Sequence, residues 1–311
     1  MVEFSRGYSV RSPGDHDANA ISDVVQALDV ADFGEPDFSE QDLLDDWLRP
    51  RFNRDTDAWV VSGPTGRIIG YAYVWEAQPN REIEGDAYIL PEYSGRGLGT
   101  HLLDLMEARA RDICAGRSLL LAVFASTANE EKRNLLERRG FEPTRAVLRM
   151  RIDLSREIPE APSTPPGVEI RPLAPSDEDA VREVWMDAFG DHGRFSARSL
   201  DEWLQGRFDH PAFDPSLWRV AVEGDRTLGA VLVFDVGPTG YLSSVGVRAD
   251  ARGRRIGPAL LASAFAALRD RGQMRAVVSV DADADAPSLA LYEVAGMRIH
   301  ERHDCFTKTL T

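Results

Sequence analysis

Two kinds of hydrophobic spacing run along this chain, and each occurs twice. Residues 58–75, AWVVSGPTGRIIGYAYVW, hold two β-branched and aromatic runs around a glycine-bearing turn, the pattern of a hairpin. Residues 218–234, WRVAVEGDRTLGAVLVF, repeat it. Segments 99–113, GTHLLDLMEARARDI, and 257–271, GPALLASAFAALRDR, carry apolar residues at helical spacing. Each is preceded by a further strand, DAYIL (86–90) or YLSSVGV (241–247), and followed by an apolar one, SLLLAVF (118–124) or RAVVSV (275–280). Acidic amphipathic helices open each series, AISDVVQALD (20–29) and DEDAVREVWMDAF (177–189).

The two series are copies of one fold. Trp59 aligns with Trp218 at a shift of 159, Gly99 with Gly257 at 158, and LLERRGF (135–141) with LYEVAGM (291–297) at 156. A nearly constant offset across so many features is the signature of duplication. Between the copies lies IPEAPSTPPG (158–167), whose prolines lack amide donors and disfavour helix, so it reads as an extended linker. The expected organisation is therefore an N-terminal domain over 1–157, a linker over 158–167 and a C-terminal domain over 168–311. Each domain is α/β, a sheet covered by helices.

Composition narrows the partners. The chain has 311 residues, 43% hydrophobic and 28% charged, which suits two soluble globular domains. No apolar run reaches the roughly 18 residues of a membrane span, and the start, MVEFSRGYSV, has no apolar signal region; a cytoplasmic protein is expected. Cys114 and Cys305 are too few for a disulfide framework or a four-ligand zinc site, so no metal is expected. The net charge of −15 argues against nucleic acid or an anionic membrane as partner. Acid concentrates in DVADFGEPDFSEQDLLDDW (29–47), either as a solvated helical face or as an attractor for a cationic amine.

In SGRGLGT (94–100), three glycines leave backbone amides uncovered where a helix begins. Such a terminus offers unpaired donors and a partial positive dipole, which suits a phosphate, although a tight packing turn reads the same. A dinucleotide fold would place its glycines after the first strand, whereas here a hairpin precedes them.

Taken with the strand before it and the motif after it, this turn resembles that of the GNAT superfamily of acyl-CoA-dependent N-acyltransferases. The family pattern is a strand ending V-x-P, then [RQ]-x-x-G-x-[GA], and later N-x-x-A-x-x-L-Y-E-x-x-G-F. The first copy has ILP (89–91), SGRGLG (94–99), Asn129 and LLERRGF; the second has VRA (247–249), RGRRIG (252–257), Asp285, Ser288 and LYEVAGM. The resemblance implies two tandem domains, each a mixed, mostly antiparallel sheet flanked by helices. It implies acetyl-CoA, or another acyl-CoA, as cofactor and a small-molecule amine as acceptor, in a monomer or homodimer. Ile89, Leu90, Arg96, Gly97, Leu98, Gly99, Thr100 and Asn129 would hold the cofactor in the first copy. Val245, Val247, Arg252, Gly253, Arg254, Arg255, Ile256 and Gly257 would do so in the second. The amine would attack the thioester directly after losing a proton to a base, and the motif tyrosine would protonate the departing thiolate.

The copies are not equivalent. The motif tyrosine is Tyr292 in the second copy, where the first has Leu136, which has no proton to give. The cradle points the other way, because the second copy replaces the middle glycine by Arg255 and follows the last by Pro258, which lacks an N–H. Arg255 either crowds the phosphates or pairs with them. For the base, the first copy offers Glu82, Glu84 and Asp86 on one face of a strand. The second offers no carboxylate on YLSSVGV, leaving Asp235, or Asp281 and Asp283, acting through water. His192 falls in the region that walls the acceptor pocket in the family, while His300 and His303 read as structural. Two fused copies resemble the mycothiol-synthase-like tandem acetyltransferases, in which the C-terminal half catalyses; the strand glutamate implied there aligns with Tyr241. Catalysis in the C-terminal half is thus the leading expectation. Catalysis through Glu84 and Asp86 in the N-terminal half, or a non-catalytic acyl-CoA sensor or scaffold, stand beside it.

Overall fold

The computed structural model describes every residue except 1, 5–6, 37, 79–80, 157–163, 190–196, 237–238 and 283–285. The chain forms two compact units, one of residues 1–147 with 301–311 and the other of residues 148–300.

The first unit opens with strands β1 (Val2–Phe4) and β2 (Tyr8–Arg11), then helices α1 (Ala18–Phe33), α2 (Glu40–Trp47) and α3 (Arg54–Asp57). Strands β3 (Ala58–Ser62), β4 (Ile68–Gln78) and β5 (Glu82–Ile89) follow, then α4 (Leu98–Cys114), β6 (Leu119–Ser126), α5 (Glu130–Arg138) and β7 (Glu142–Asp153). The second unit repeats the plan with β8 (Glu169–Pro172), α6 (Glu178–Phe189), α7 (Ala197–Phe208), β9 (Arg219–Glu223), β10 (Arg226–Val236) and β11 (Thr239–Val247). It continues with α8 (Ile256–Asp270), β12 (Arg275–Asp281), α9 (Ala286–Val294) and β13 (Arg298–Leu310). In each sheet the early strands pair antiparallel and one pair, β5 with β6 or β11 with β12, runs parallel. This is the mixed, mostly antiparallel sheet that the resemblance implied.

Local chemistry explains these elements. Helix α4 buries Leu98, Leu102, Leu103, Met106 and Ala110 at helical spacing, and α8 buries Ile256, Leu260, Leu261, Ala264, Phe265 and Leu268. Helix α1 stops at Gly34, whose φ of 87° closes the last turn, and α2 starts at Ser39, which exchanges a capping box with Asp42. Each copy ties its opening strand to the turn before its first helix through the same fork. Arg11 bonds Asp17 at 2.5 and 2.7 Å, and Arg171 bonds Asp177 at 2.6 and 2.9 Å. These bonds hold both aspartates below their usual pKa despite the cost of burial.

The expected domain boundary needs correction. The units divide at the closing strands and not at the linker, most of which lies outside the described residues. Strand β7 begins in the first unit, but Met150 and Ile152 lie in the core of the second. The end of β13 instead joins the first unit, pairing antiparallel with β6 from His303↔Ser126 to Leu310↔Leu119. Phe306 and Leu310 are buried there in the first core. The physical reason is that a strand's alternating pattern specifies which face it buries, not which neighbour it pairs with. Cys114 and Cys305 are both buried free thiols, and burial pushes Cys305 up to about 12.

Candidate active site

In the first unit, β5 and β6 pair from Glu82↔Leu120 only as far as Gly85↔Val123. Beyond Gly85 the two strands part, while β5 stays bonded to β4 up to Ile89↔Gly70. The β6-facing backbone groups of residues 86–89 are thereby released from the ladder. A tight turn at Pro91–Tyr93 leads to Gly95 and Gly97, with φ of 70° and 81°, and so to α4. Gly97 caps that helix with no side-chain bond, which leaves its first amides turned outward. The cleft beside this turn has a volume of about 330 Å³, and its lining includes Ile89, Gly97, Leu98, Gly99, Thr100 and Asn129. Leu90 is buried in the core instead. Arg96 folds back, donating to the Tyr8 hydroxyl at 3.1 Å and the Glu92 carbonyl at 2.8 Å.

An anion already sits at this turn. The Glu131 carboxylate, from α5, accepts from the Gly95 amide at 2.9 Å. Neither the glycine pattern nor the spacing pointed to Glu131. Asn129 caps α5, accepting from the Lys132 amide at 3.0 Å. Lys132 in turn pairs with Asp86 and lies over the Tyr88 ring.

The second cradle has the same backbone. Leu90 and Arg248 have φ, ψ of −49°, 133° and −51°, 142°; Ser94 and Arg252 have −61°, 159° and −63°, 158°. Gly95 and Gly253 have φ of 70° and 75°. At the helix cap, Gly97 lies at 81°, 0° and Arg255 at 63°, 18°, so Arg255 occupies a conformation that favours glycine. Arg254 is turned away to Glu223 at 2.5 and 3.3 Å, and Arg252 reaches the Val247 and Ala188 carbonyls, both at 3.3 Å. Ile256 is buried, and a Cβ at Gly257 would meet the end of the Leu291 side chain at 2.8 Å, so Leu291 would have to shift. The parallel pairing of β11 with β12 ends at Tyr241↔Val277, ahead of Val245 and Val247.

One feature separates the two splays. The β10–β11 ladder steps from Leu232↔Ser244 to Val233↔Leu242, so Ser243 is bulged out of it. In the first unit the corresponding pairs, Tyr73↔Asp86 and Val74↔Gly85, are regular. No sequence pattern marked this bulge.

Acid and base groups distribute unequally. Tyr292 is buried on α9, and its hydroxyl has no hydrogen-bond partner among the described residues. Burial, with Tyr241 adding to it, pushes the Tyr292 phenol up to about 12. In the first unit Leu136 lines the cleft. Of the acidic strand residues there, Glu82 is forked by Arg145 at 2.9 and 3.0 Å and Asp86 is held by Lys132 and by the Tyr88 hydroxyl at 3.1 Å. Glu84 is raised, mainly by burial and then by Glu82. The acidic 29–47 stretch is not one solvated face: Asp29 accepts from the Phe38 amide, and Asp46 pairs with Arg49, which stacks on Trp75. Desolvation pushes Asp46 up to about 6. In the second unit Asp235 accepts from the Gln273 amide. His192, Asp283 and Asp285 lie outside the described residues, while His303 bonds Glu301 at 3.0 Å.

The acetyltransferase (GNAT) family model matches residues 22–141 and again 178–297. The chain belongs to the GNAT family. A mycothiol acetyltransferase from Cellulomonas flavigena is 32% identical over 89% of this chain and 82% of its own length. One from Catenulispora acidiphila is 27% identical over 92% and 94%. Among solved structures, a GCN5-related N-acetyltransferase from Sphaerobacter thermophilus is 30% identical, with a TM-score of 0.84 over 99% of this chain and 97% of that one. A tandem GNAT protein from the clavulanic acid biosynthesis pathway shares the fold, with a TM-score of 0.70 at 18% identity over 97% and 98% of the two chains.

This GNAT protein is thus an acyltransferase that uses acetyl-CoA, and its residues fit that cofactor. A carboxylate resting on the Gly95 amide marks the turn as an anion site. The splayed strand beside it carries backbone groups freed from the ladder, one of which, the Ala87 amide, donates to the Asp86 carboxylate at 2.7 Å. Among the described residues, no helix is long and apolar enough to cross a membrane, and no cluster could hold a metal ion.

Proposed function

We propose that this GNAT protein acetylates the primary amine of a small molecule by direct attack on the thioester, with the chemistry in the second unit. The observation that carries this reading is Tyr292: a buried phenol with no hydrogen-bond partner among the described residues, beside a splayed and bulged strand, where the first unit has Leu136. Acetyl-CoA supplies a thioester-activated acetyl group. Around it, Gly253, Arg255 and Gly257 hold the helix start open for the pyrophosphate, and Val245 and Val247 line up the released strand edge. The amine nitrogen loses a proton to water relayed toward Asp235 and bonds the acyl carbon, and the carbon–sulfur bond breaks. The Tyr292 hydroxyl gives its proton to the sulfur and regains one from solvent. Ile89, Gly97, Gly99, Thr100 and Asn129 form a second cradle that holds acetyl-CoA without using it. The mycothiol acetyltransferase relatives support a small-molecule acceptor.

A second reading places catalysis in the first unit. The raised Glu84 favours it as a base, but no acid stands opposite, because Leu136 fills that place.

The test is Tyr292→Phe. General acid catalysis contributes about a hundredfold or more, so kcat should fall by about that factor while acetyl-CoA affinity holds. Because burial raises the phenol above its usual 10 to about 12, the proton is retained through neutral and moderately alkaline pH. The wild-type kcat/KM should therefore rise as the amine deprotonates and show no descending limb between pH 8 and 10. An unchanged kcat in the variant removes Tyr292 from the reaction.

A further inference from the structure

Of the chain's 36 lysines and arginines only two are lysines, Lys132 and Lys308. An arginine serves in comparable ion pairs of the first unit, Arg145 on Glu82 and Arg109 on Asp57. The choice matters in a protein that handles a thioester. A guanidinium stays protonated and has no lone pair to give, whereas an ε-amine that loses its proton is a nucleophile. Lys308 is held on the buried Glu107 carboxylate at 3.0 Å and is no part of the first cleft's lining. Lys132 is part of it.

The Lys132 amine stands where the two strands of the splay part. It pairs with Asp86, the first residue of β5 beyond the last pairing with β6, Gly85↔Val123. Asp86 is itself fixed by the Tyr88 hydroxyl at 3.1 Å and the Ala87 amide at 2.7 Å, and the amine lies 5.3 Å from the centre of the Tyr88 ring. Asp32, from α1, is a second carboxyl within electrostatic reach of it. On α5, Lys132 and Leu136 are one turn apart, and both line the cleft. Leu136 stands where the second copy has Tyr292, and at the same shift of 156 Lys132 stands where it has Ser288, which carries no amine. A cofactor with its pyrophosphate on the turn at residues 95–100 extends along the released edge of β5, from Ile89 back toward Asp86. Its acyl end then meets the Lys132 amine.

We propose that Lys132 is an acetyl acceptor: acetyl-CoA held in the first cleft acetylates it, once per chain. This rests on the first cradle holding acetyl-CoA, and it adds one self-directed transfer to a cradle that turns over no external amine. The Lys132 ammonium passes a proton to the Asp86 carboxylate, which releases it to solvent. The freed lone pair bonds the acyl carbon and the carbon–sulfur bond breaks. The nitrogen's second proton reaches the departing thiolate through solvent, giving an amide and CoA. No acid is needed in Leu136's place, because a thiolate of pKa about 8.5 leaves readily near neutrality. The amide is no longer a nucleophile, so the transfer ends after one turn, and Asp86 loses its counter-ion.

The experiment incubates the full chain with acetyl-CoA carrying an isotope-labelled acetyl group and maps the label by peptide mass spectrometry. One label per chain should appear on Lys132, at least about a hundredfold faster than on Lys308 or the N-terminal amine, as expected of an amine positioned against the thioester. Lys132→Arg, which keeps a cation on Asp86, should take up none at that position. Excess CoA, which competes for the cradle, should protect Lys132 and leave the other two amines unaffected. Gly97→Glu should slow Lys132 to their rate. Equal labelling of all three amines, or labelling of Lys132 that neither CoA nor Gly97→Glu slows, overturns the proposal. So does an unlabelled Lys132 when calorimetry shows acetyl-CoA bound at the first cradle, and the reading of that cradle then stands. Failure of acetyl-CoA to bind there overturns both.

Discussion

Glu131 makes the first cradle an arrangement of competing anions. Its carboxylate bonds the Gly95 amide that a pyrophosphate would need, and it stands in the same cleft. The bond is exposed, so its own strength is modest, but any phosphate must displace the carboxylate and then meet its charge. Glu131→Gln keeps the side-chain shape and removes the charge. It should tighten acetyl-CoA at the first cradle about fivefold, since a solvent-screened charge contact contributes about 1 kcal/mol. Calorimetric titration reads this directly, the first-cradle event being the one lost in Gly97→Glu. Unaltered or weaker binding in Glu131→Gln means that the carboxylate does not occupy the phosphate's place.

At the scale of elements, the two strand–turn–helix cradles have one backbone path and two different residues at its crossing point. Gly97 adopts φ 81° freely, whereas Arg255 is held at φ 63° by the turn before it and α8 after it. A left-handed residue with a Cβ costs about 1–2 kcal/mol. Arg255→Gly should therefore raise the second unit's melting temperature by about 2–8 °C, and Gly97→Arg should lower that of the first by a similar amount. Differential scanning calorimetry checks both, and a drop for Arg255→Gly refutes the strain. That these cradles would be α/β turns of a duplicated fold was legible in the sequence, because hairpins, amphipathic helices and glycine turns are local patterns. Leu136 against Tyr292 was legible for the same reason. The Ser243 bulge was not, because it depends on how two strands pair and not on either strand's composition. Glu131 was hidden inside an acidic helical segment, because its place comes from where α5 is packed, which no spacing along the chain records.

At the scale of the molecule, the chain's last eleven residues belong to the first unit, and this makes the two halves of the sequence unequal to the two halves of the structure. Residues 301–311 bring β13 alongside β6, with Phe306 and Leu310 exposed 0% and 3% in the first core. Lys308 bonds the buried Glu107 carboxylate at 3.0 Å and the Arg139 carbonyl at 2.9 Å. Emptying a buried phenylalanine site costs about 3–5 kcal/mol and a leucine site about 2–5, and Glu107 would also lose its lysine. Together these match the roughly 5–15 kcal/mol that holds a whole domain folded. A chain ending at His300 should then lose the first unit's unfolding transition and, with it, acetyl-CoA binding at the first cradle. The bare edge of β6 should make it prone to aggregation. For the same reason a fragment cut in the 158–167 linker, residues 1–160, should not fold alone. A synthetic peptide of residues 301–311 added in trans should restore both the transition and the binding, by adding a strand to that edge. Retention of first-cradle binding by the truncated chain, measured by the same titration, would show that the first unit closes its sheet without β13.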